Sequence, residues 1–580
     1  MAGYYLITAA VLVGVQLILT VFRLFRNLKA ARATGLPYTW SPVHELEAGA
    51  YITNAILRWW YRDYLQKGEG WPRWARFMIK DWHFEDHCRA AQEYGDAFVV
   101  ATPGGIMFYT SDPSIASKVT MRRKAFIKPA DKMKILEPFG PNVVSVEGDL
   151  WKFHLAVTLP PLAADSVARL VWDETARQVD MMAKTWRPED SHRERIYALT
   201  MNTMSLVGFG RQAEWGEGDR PDNIPEGHEF SLVGALTGVI MHLPQILLLP
   251  RWALRWSPWP IAYKATLEVD RYIDEMLAEE RIRLEQDNSE SQRENLLTAV
   301  LRSNMAAEKK DGKALGRTAL TDEEIKGNVF IFLVAGYDTT ANTVLFSTLI
   351  LILHQNLQEQ VLAEVDAVYA RAAQEGRSEL SYTEDYPRFR YLVAFMYEVM
   401  RAFPIVQTLT RVAVGEQEIQ LGKSAEEKGA YASRHILPDG ANLCINNTAI
   451  HYNPDIWPSP DTIEPKRWLV SDPHAYDPAQ GPTTTQAAEI AAGAASIPGN
   501  RKGTFLTFGE GPRACLGRSF ARVEFVAIMA RLLRHHRIEM TDGNPATAAR
   551  VLRTARLRSG GSPVTLIPPE DVRIRLVPRN

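Results

Sequence analysis

Cysteine is scarce in this sequence: three among 580 residues, Cys88, Cys444 and Cys515. That is too few for a disulfide framework to hold a chain of this size. It suits a reducing compartment, where a cysteine serves chemistry more often than cross-linking. Net charge is almost absent as well, -2 with a pI near 6.7, which removes the electrostatic footprint of a nucleic-acid binder. No internal repeat occurs, and no segment reads as a second complete domain. What remains is the composition of a folded protein, 46% hydrophobic and 23% charged, unlike that of a disordered chain.

Charge is also missing locally. From Met1 to Phe22 the chain carries no charged side chain, "MAGYYLITAAVLVGVQLILTVF", and roughly 20 apolar residues are enough to span a bilayer. Arg23, Arg26, Lys29 and Arg32 follow. A cleavable signal has its charge before the apolar core, so the expectation is an uncleaved, single-pass anchor over residues 1–22 held in membrane lipid. The trailing basic residues then place the rest of the chain in the cytosol. Residues 23–45, including "GLPYTWSP", read as a basic, proline-containing linker, and 46–580 as one large domain.

Within that domain, "AFVVATPGGIMFYTSD" alternates and turns at Pro103-Gly104-Gly105, which predicts a hairpin. Between Pro113 and Arg401 the patterns are long and helical. Residues 477–496 are small and polar, the composition of a surface insertion, and "VTLIPPEDVRIRLVP" reads as short strands. The fold class expected is mainly α with a minor β-sheet region, preceded by a single N-terminal transmembrane helix.

Chemistry concentrates in "FLTFGEGPRACLG", Phe505–Gly517. Gly509-x-Gly511-x-x-Ala514 matches the dinucleotide fingerprint, but Pro512 lacks the N–H such a cradle needs. Too little chain follows to complete a βαβ unit. The other reading is a thiolate. Leu516, Phe520, Val523, Ala527 and Ala530 form a helical stripe, so Cys515 sits where a helix begins, and free N–H groups there favour an anion. Such a thiol is expected to have a lowered pKa and to ligate metal. Gly509, Gly511 and Gly517 allow close backbone approach to a flat cofactor, and Arg513 could pair with a carboxylate on it.

Phe508-x-x-Gly511-x-Arg513-x-Cys515-x-Gly517 resembles the haem-binding signature of the cytochrome P-450 family at every fixed position. The resemblance implies the cytochrome P-450 fold and makes Cys515 the axial ligand of haem iron (protoporphyrin IX), with Phe508 against its sulfur side and Gly509 among the cofactor-binding residues. Electron donation by such a thiolate favours O–O cleavage, a property for which this family is the standing example. Three further stretches match in the family's order. "AGYDTTANT" places Asp338 and Thr339 within an apolar helix; a buried acid needs a reason. By resemblance these two residues relay protons to and hold bound dioxygen, with a local widening of the helix expected at Gly336 and Thr339. "YEVMRAFP" and "IEPKRW" supply Glu398, Arg401 and Arg467, similar to the family's buried structural triad; Glu398 and Arg401 share a helix face. "GDLWKFHLAV" supplies Trp151 and His154 as partners of the haem propionates, but Leu155 stands where the family usually has arginine. Arg411 matches another common propionate partner.

By the same resemblance Phe332, Ala335 and the segment Ile405, Val406, Gln407, Thr408 and Leu409 line the substrate pocket. Mostly apolar with some polar relief, they suit terpenoids, fatty acids, polyketides or steroids alike. The implied activity is insertion of one oxygen atom from dioxygen into a lipophilic small molecule. No flavin or nicotinamide domain fits, so electrons are expected from a separate NADPH-dependent cytochrome reductase at the endoplasmic reticulum membrane, and the layout resembles fungal microsomal members. Haem-thiolate isomerase, dehydratase or peroxygenase chemistry, and a non-catalytic haem sensor, remain open. His83, His87 and Cys88 have metal-like spacing, but nothing clusters with them and a polar helix surface is expected. Asn446-Asn447-Thr448 is a glycosylation sequon that a cytosolic location would leave unmodified. His535-His536 is expected to end the helix that follows Cys515.

Overall fold

The computed structural model describes residues 2–61, 71–80, 82–211, 215, 224–286, 295–309, 319–421, 434–469, 502–558 and 564–579. The expected insertion at 477–496 lies outside them. In chain order the elements used below are α1 (Ala2–Ala33), β1 (Tyr38–Trp40), α2 (Ala48–Trp60), β2 (Ala97–Thr102), β3 (Gly105–Thr110), α3 (Pro113–Met121), β4 (Phe126–Ile127), α4 (Gly148–Ala163), α5 (Asp165–Lys184), α6 (His192–Phe209) and α7 (Leu232–Met241). They continue with α8 (Pro260–Gln286), α9 (Asp322–Leu353), α10 (Gln355–Gln374), α11 (Arg390–Ala402), β5 (Thr408–Ala413), β6 (Asn442–Asn446), α12 (Arg518–His535), β7 (His536–Met540) and β8 (Ile574–Pro578). Helix dominates and the sheets are small, as composition and periodicity suggest.

The six-stranded sheet runs β1-β2-β3-β6-β5-β4. The expected hairpin is β2–β3, antiparallel with Thr102 opposite Gly105. Successive residues of a strand face opposite sides, and both sides of β2 are covered. Val99 and Ala101 join a core with Ala31, Phe108 and Leu443. Phe98 and Val100 join another with Trp71, Trp82 and Tyr109. A strand buried on both faces reads as continuous apolar sequence.

Residues 23–45 are not a free linker. α1 continues unbroken to Ala33; Asn27 Nδ2 donates to the Thr102 carbonyl at 2.8 Å, and Tyr38–Trp40 pairs in parallel with β2. Basic and prolyl residues suggested a connector, but strand pairing at long range overrides such local propensity. Along the first part of α1, Ile7, Leu12, Ile18 and Phe22 are each at least 65% exposed. α9, also long and apolar, is mostly buried in the core instead.

α9 is the axis of the larger core. Thr321 caps it in a reciprocal box with Glu324, satisfying backbone donors that a helix start leaves free. α6 packs on α9, α5 on α12, and α7 on α8. α12 ends at His535 and His536 opens β7, as expected. The C-terminal stretch yields one strand, β8, paired with β7; Leu566 makes only a single backbone bond, to the Ile405 carbonyl.

His83 is no polar surface residue. It is 1% exposed, stacked on Trp82 at 4.3 Å, with Nε2 3.6 Å from Cys444 Sγ. His87 stacks on Tyr452 at 4.0 Å. Tertiary packing covers a helix whose own sequence reads polar. Among the described residues no group of three or more His, Cys, Asp or Glu side chains is placed to hold a metal. The sequon is likewise buried: Asn446 is 4% exposed and caps the next helix by accepting from Ala449 N at 3.0 Å.

Candidate active site

The cavity that contains Cys515 holds about 350 Å³, within the roughly 300–1,000 Å³ of small-molecule sites. Cys515, Phe508, Gly509 and Leu516 contribute one part of its wall, and Ala335, Gly336, Thr339 and Thr343 of α9 another. The Cys515 loop is a tight turn closed by Cys515 N donating to the Phe508 carbonyl at 2.7 Å. Gly509 and Gly511 adopt φ of +68° and +73°, which side chains disfavour. At Gly511 a Cβ would also meet the Thr120 carbonyl at 2.7 Å, so this glycine serves packing against α3 rather than cofactor approach.

Cys515 precedes α12 by three residues and its thiol opens onto the cavity. Burial pushes that thiol above its ordinary pKa, against the opposing pull of the Gly517 N–H and of Arg518 and Lys128. The expected depression by the helix start is outweighed. A coordinated metal cation deprotonates a thiol outright. Cys444 is 1% exposed within β6 and Cys88 lies elsewhere; neither lines the cavity.

Cations gather at one part of this wall. Lys128 and Arg513 line it; Arg411 does not line it but lies behind them, close enough to lower the Lys128 pKa and to have its own lowered by Arg513. Burial, reinforced by Arg513 and Arg411, pulls the Lys128 ammonium down to about 7; burial and Arg513 pull Arg411 down to about 10. Arg513 Nη2 is 2.7 Å from Glu147 Oε1, and its guanidinium lies 4.1 Å from the Trp151 ring centroid, with Arg123 at 5.0 Å from the same ring. Even with Lys128 drawn toward neutrality, the two guanidiniums outnumber the one carboxylate, and such a surplus of positive charge away from water is costly unless an anion joins it. A thiol donor, apolar walls and surplus buried cations fit a haem and its two propionates.

His154 does not join this group. It is fully buried, its Nδ1 is 2.9 Å from Asn328 Nδ2, its Nε2 is 3.7 Å from Glu324 Oε1, and it does not line the cavity. It lies one helix turn beyond Trp151 on the same side of α4, where Asn328 and Glu324 of α9 engage its ring. Lys128 is the residue the motifs miss. Its only sequence trace is the basic run "RRKAFIK", which reads as a solvated surface.

Phe332, Ala335, Ile405, Val406 and Leu409 line the cavity; Gln407 and Thr408 do not. Both are held by other partners: Gln407 Oε1 accepts from Phe84 N at 3.2 Å, and the Thr408 hydroxyl is bonded to Cys444. On α9, Thr339 Oγ1 donates back to the Ala335 carbonyl at 2.8 Å. The helix is continuous from Asp322 to Leu353, without the expected widening. A Cβ on Gly336 would lie 2.9 Å from Met204 Sδ, so this glycine admits α6. Asp338 lines a different pocket from Thr339.

Glu398, Arg401 and Arg467 do come together. Arg401 donates twice to Glu398, at 3.0 and 2.8 Å, with both side chains fully buried. Arg467 Nε adds a bond of 3.1 Å.

The family model for cytochrome P450 matches residues 71–554. The chain belongs to the cytochrome P450 family. A cytochrome P450 monooxygenase of Penicillium roqueforti and another of Penicillium rubens are each 35% identical to it over 583 residues, covering 98% of this chain and 97% of theirs. A third, from Arthrobotrys oligospora, is 28% identical at the same coverage. A solved structure of a zebra fish cytochrome P450 with progesterone superposes with a TM-score of 0.59 over 86% of this chain and 98% of its own, at 18% identity; that likeness shows the fold. This cytochrome P450 is an oxygen-incorporating oxidoreductase of the monooxygenase kind. Its cofactor is haem, whose iron the family binds through a cysteine thiolate.

Proposed function

We propose that this cytochrome P450 oxidises a lipophilic small molecule, with Cys515 as the iron ligand, Thr339 and Asp338 managing protons, and electrons from a separate NADPH-dependent reductase. One observation carries the reading: Cys515 and Thr339 line the same apolar cavity. When bound there, haem supplies dioxygen activation and two-electron oxidation of the substrate. The chain's own residues do the rest. Phe332, Ile405, Val406 and Leu409 exclude water and set the substrate's orientation by shape. Thr339 presents a hydroxyl whose resting hydrogen bond to Ala335 can be exchanged for one to a ligand. Arg513, Lys128 and Arg411 would hold the propionates, while Trp151 buttresses Arg513 through its ring. The experiment is turnover under isotopic dioxygen with a reductase and a panel of lipophilic compounds. One labelled oxygen atom in the product is expected; product without label would mean isomerase, dehydratase or peroxide-driven chemistry.

Lys128 takes the role left open by Leu155 in this reading. Lys128→Met should lower haem retention by about 10–100-fold, the scale of losing an outer partner of a bound metal group, whereas His154→Ala should leave retention near that of the parent. Equal retention in Lys128→Met and parent, read by haem transfer to an acceptor protein, would remove Lys128 from the site.

The reading also places the enzyme at the endoplasmic reticulum membrane by residues 1–22, with the rest of the chain facing the cytosol. The exposed apolar side chains of α1 and the basic residues after Phe22 support this. Removing residues 1–22 should release the protein into the detergent-free soluble fraction. Retention with membranes would instead require a second lipid contact.

A further inference from the structure

A second pocket of about 230 Å³ is walled by α6, α7 and α9 together with Ile567. Asp338 lines it, while its neighbour Thr339 lines the Cys515 cavity. Glu194 and Met241, both exposed, carry this second pocket to the protein surface. α9 thus gives its acid to one compartment and its alcohol to the other.

Asp338 is 5% exposed and its partners are neutral. Thr565 Oγ1 donates to Oδ2 at 2.7 Å. Asn342 Nδ2 donates to the Asp338 main-chain carbonyl at 2.9 Å and lies 3.4 Å from Oδ1. The Tyr197 hydroxyl is 3.1 Å from Asp338 Oδ1 and 3.0 Å from Asn342 Oδ1. A phenol has one hydrogen, so it cannot donate to both oxygens. With Asp338 ionised, one of the two contacts sets lone pair against lone pair. With Asp338 protonated on Oδ1, the carboxyl donates to Tyr197, Tyr197 donates to Asn342, and Thr565 donates to Oδ2. Every contact is then a hydrogen bond, as buried polar groups require. The ionisable groups that share this pocket are Tyr197, Arg193 and Glu194 from α6 and Tyr337 from α9; α7 and Ile567 contribute none among the described residues. Burial raises the Asp338 pKa, and the bonds from Thr565, Tyr197 and Asn342 only moderate it.

We infer that Asp338 is held as a neutral carboxylic acid and is reloaded through Tyr197 by water in the second pocket, not from the Cys515 cavity. This deepens the monooxygenase reading and rests on it for the proton's use. When Asp338 gives up its proton, the Tyr197 hydroxyl turns from Asn342 to Oδ1 and passes its hydrogen on. Pocket water returns a hydrogen to Tyr197 in the same step and is itself resupplied from bulk solvent past Glu194 and Met241, so Tyr197 and the water end unchanged and one proton has passed from solvent to Asp338. Tyr197 is a positioning residue.

Infrared difference spectroscopy on the haem-loaded enzyme at neutral pH, parent minus Asp338→Asn, tests this. The expected result is the C=O stretch of a protonated carboxyl that moves in heavy water and is displaced or replaced by carboxylate bands in Tyr197→Phe. Should Asp338→Asn fail to fold, carbon-13 labelling of aspartate in the parent identifies the same band by its isotope shift. Met241→Trp, which fills the pocket mouth, should slow deuterium exchange of that band several-fold. No protonated band in the parent, a band unmoved by Tyr197→Phe, or an exchange rate unmoved by Met241→Trp would overturn the inference. The band is read without turnover, so it survives if isotopic dioxygen leaves the product unlabelled, and the two failures are distinguishable.

Discussion

Cys515→Ala is expected to abolish the strongly red-shifted Soret band of the dithionite-reduced, carbon monoxide-treated protein, together with all reductase-supported turnover. The loss should exceed the ~10–100-fold attached to outer-shell partners of a metal site, because the substitution removes the donor atom itself. No other cysteine can step in: Cys444 is locked in β6 with its sulfur 3.6 Å from His83, and Cys88 does not reach the cavity. The fold should survive. The loop is closed by backbone, Cys515 N to the Phe508 carbonyl, and alanine keeps that bond. Far-ultraviolet circular dichroism identical to the parent, with no thiolate-type band, is the expected pair of results. A red-shifted band retained in the variant would move the iron ligand to another residue and overturn the site.

The second large effect is on stability. Glu398 accepts from Arg401, Arg467, the Trp468 indole at 2.8 Å and the Glu464 backbone N–H at 2.9 Å. Arg401, itself fully buried, also donates to the carbonyls of His451 and Thr462. Glu398→Ala removes the anion and leaves a guanidinium without its counter-charge in the core. Breaking one partner of a buried pair costs about 3–5 kcal/mol, a large share of the roughly 5–15 kcal/mol that holds a domain folded. Denaturant titration should show that loss. Glu398→Gln, which keeps an acceptor but no charge, should fall between variant and parent. Since the triad lies outside the cavity lining, whatever fraction folds should keep the thiolate band. A Glu398→Ala midpoint within about 0.5 kcal/mol of the parent, the range of ordinary surface changes, would show that the triad does not lock the core.

The elements that could be read in advance are those whose cause lies within a few residues. The Pro103-Gly104-Gly105 hairpin, the Glu398–Arg401 pair on one helix face and the helix that follows Cys515 are local events. The readings that failed depended on partners far away in sequence. Tyr38–Trp40 looks like a connector until β2 pairs with it. His83 looks polar and exposed until Cys444, 361 residues later, closes over it.

The haem cofactor was legible in the sequence through the resemblance of Phe508–Gly517 to the family signature, because that signature is contiguous and its turn, cysteine and following helix are local. Which cations face the cavity was decided only by tertiary structure. His154 has the better motif position but is turned to Asn328, while Lys128, from an unremarked basic run, is carried into the wall beside Arg513. In the same way Asp338 and Thr339 are adjacent in the chain and open onto different pockets. A helix turns each residue away from the last, and only the packing of α6 and α7 against α9 determines what each side meets.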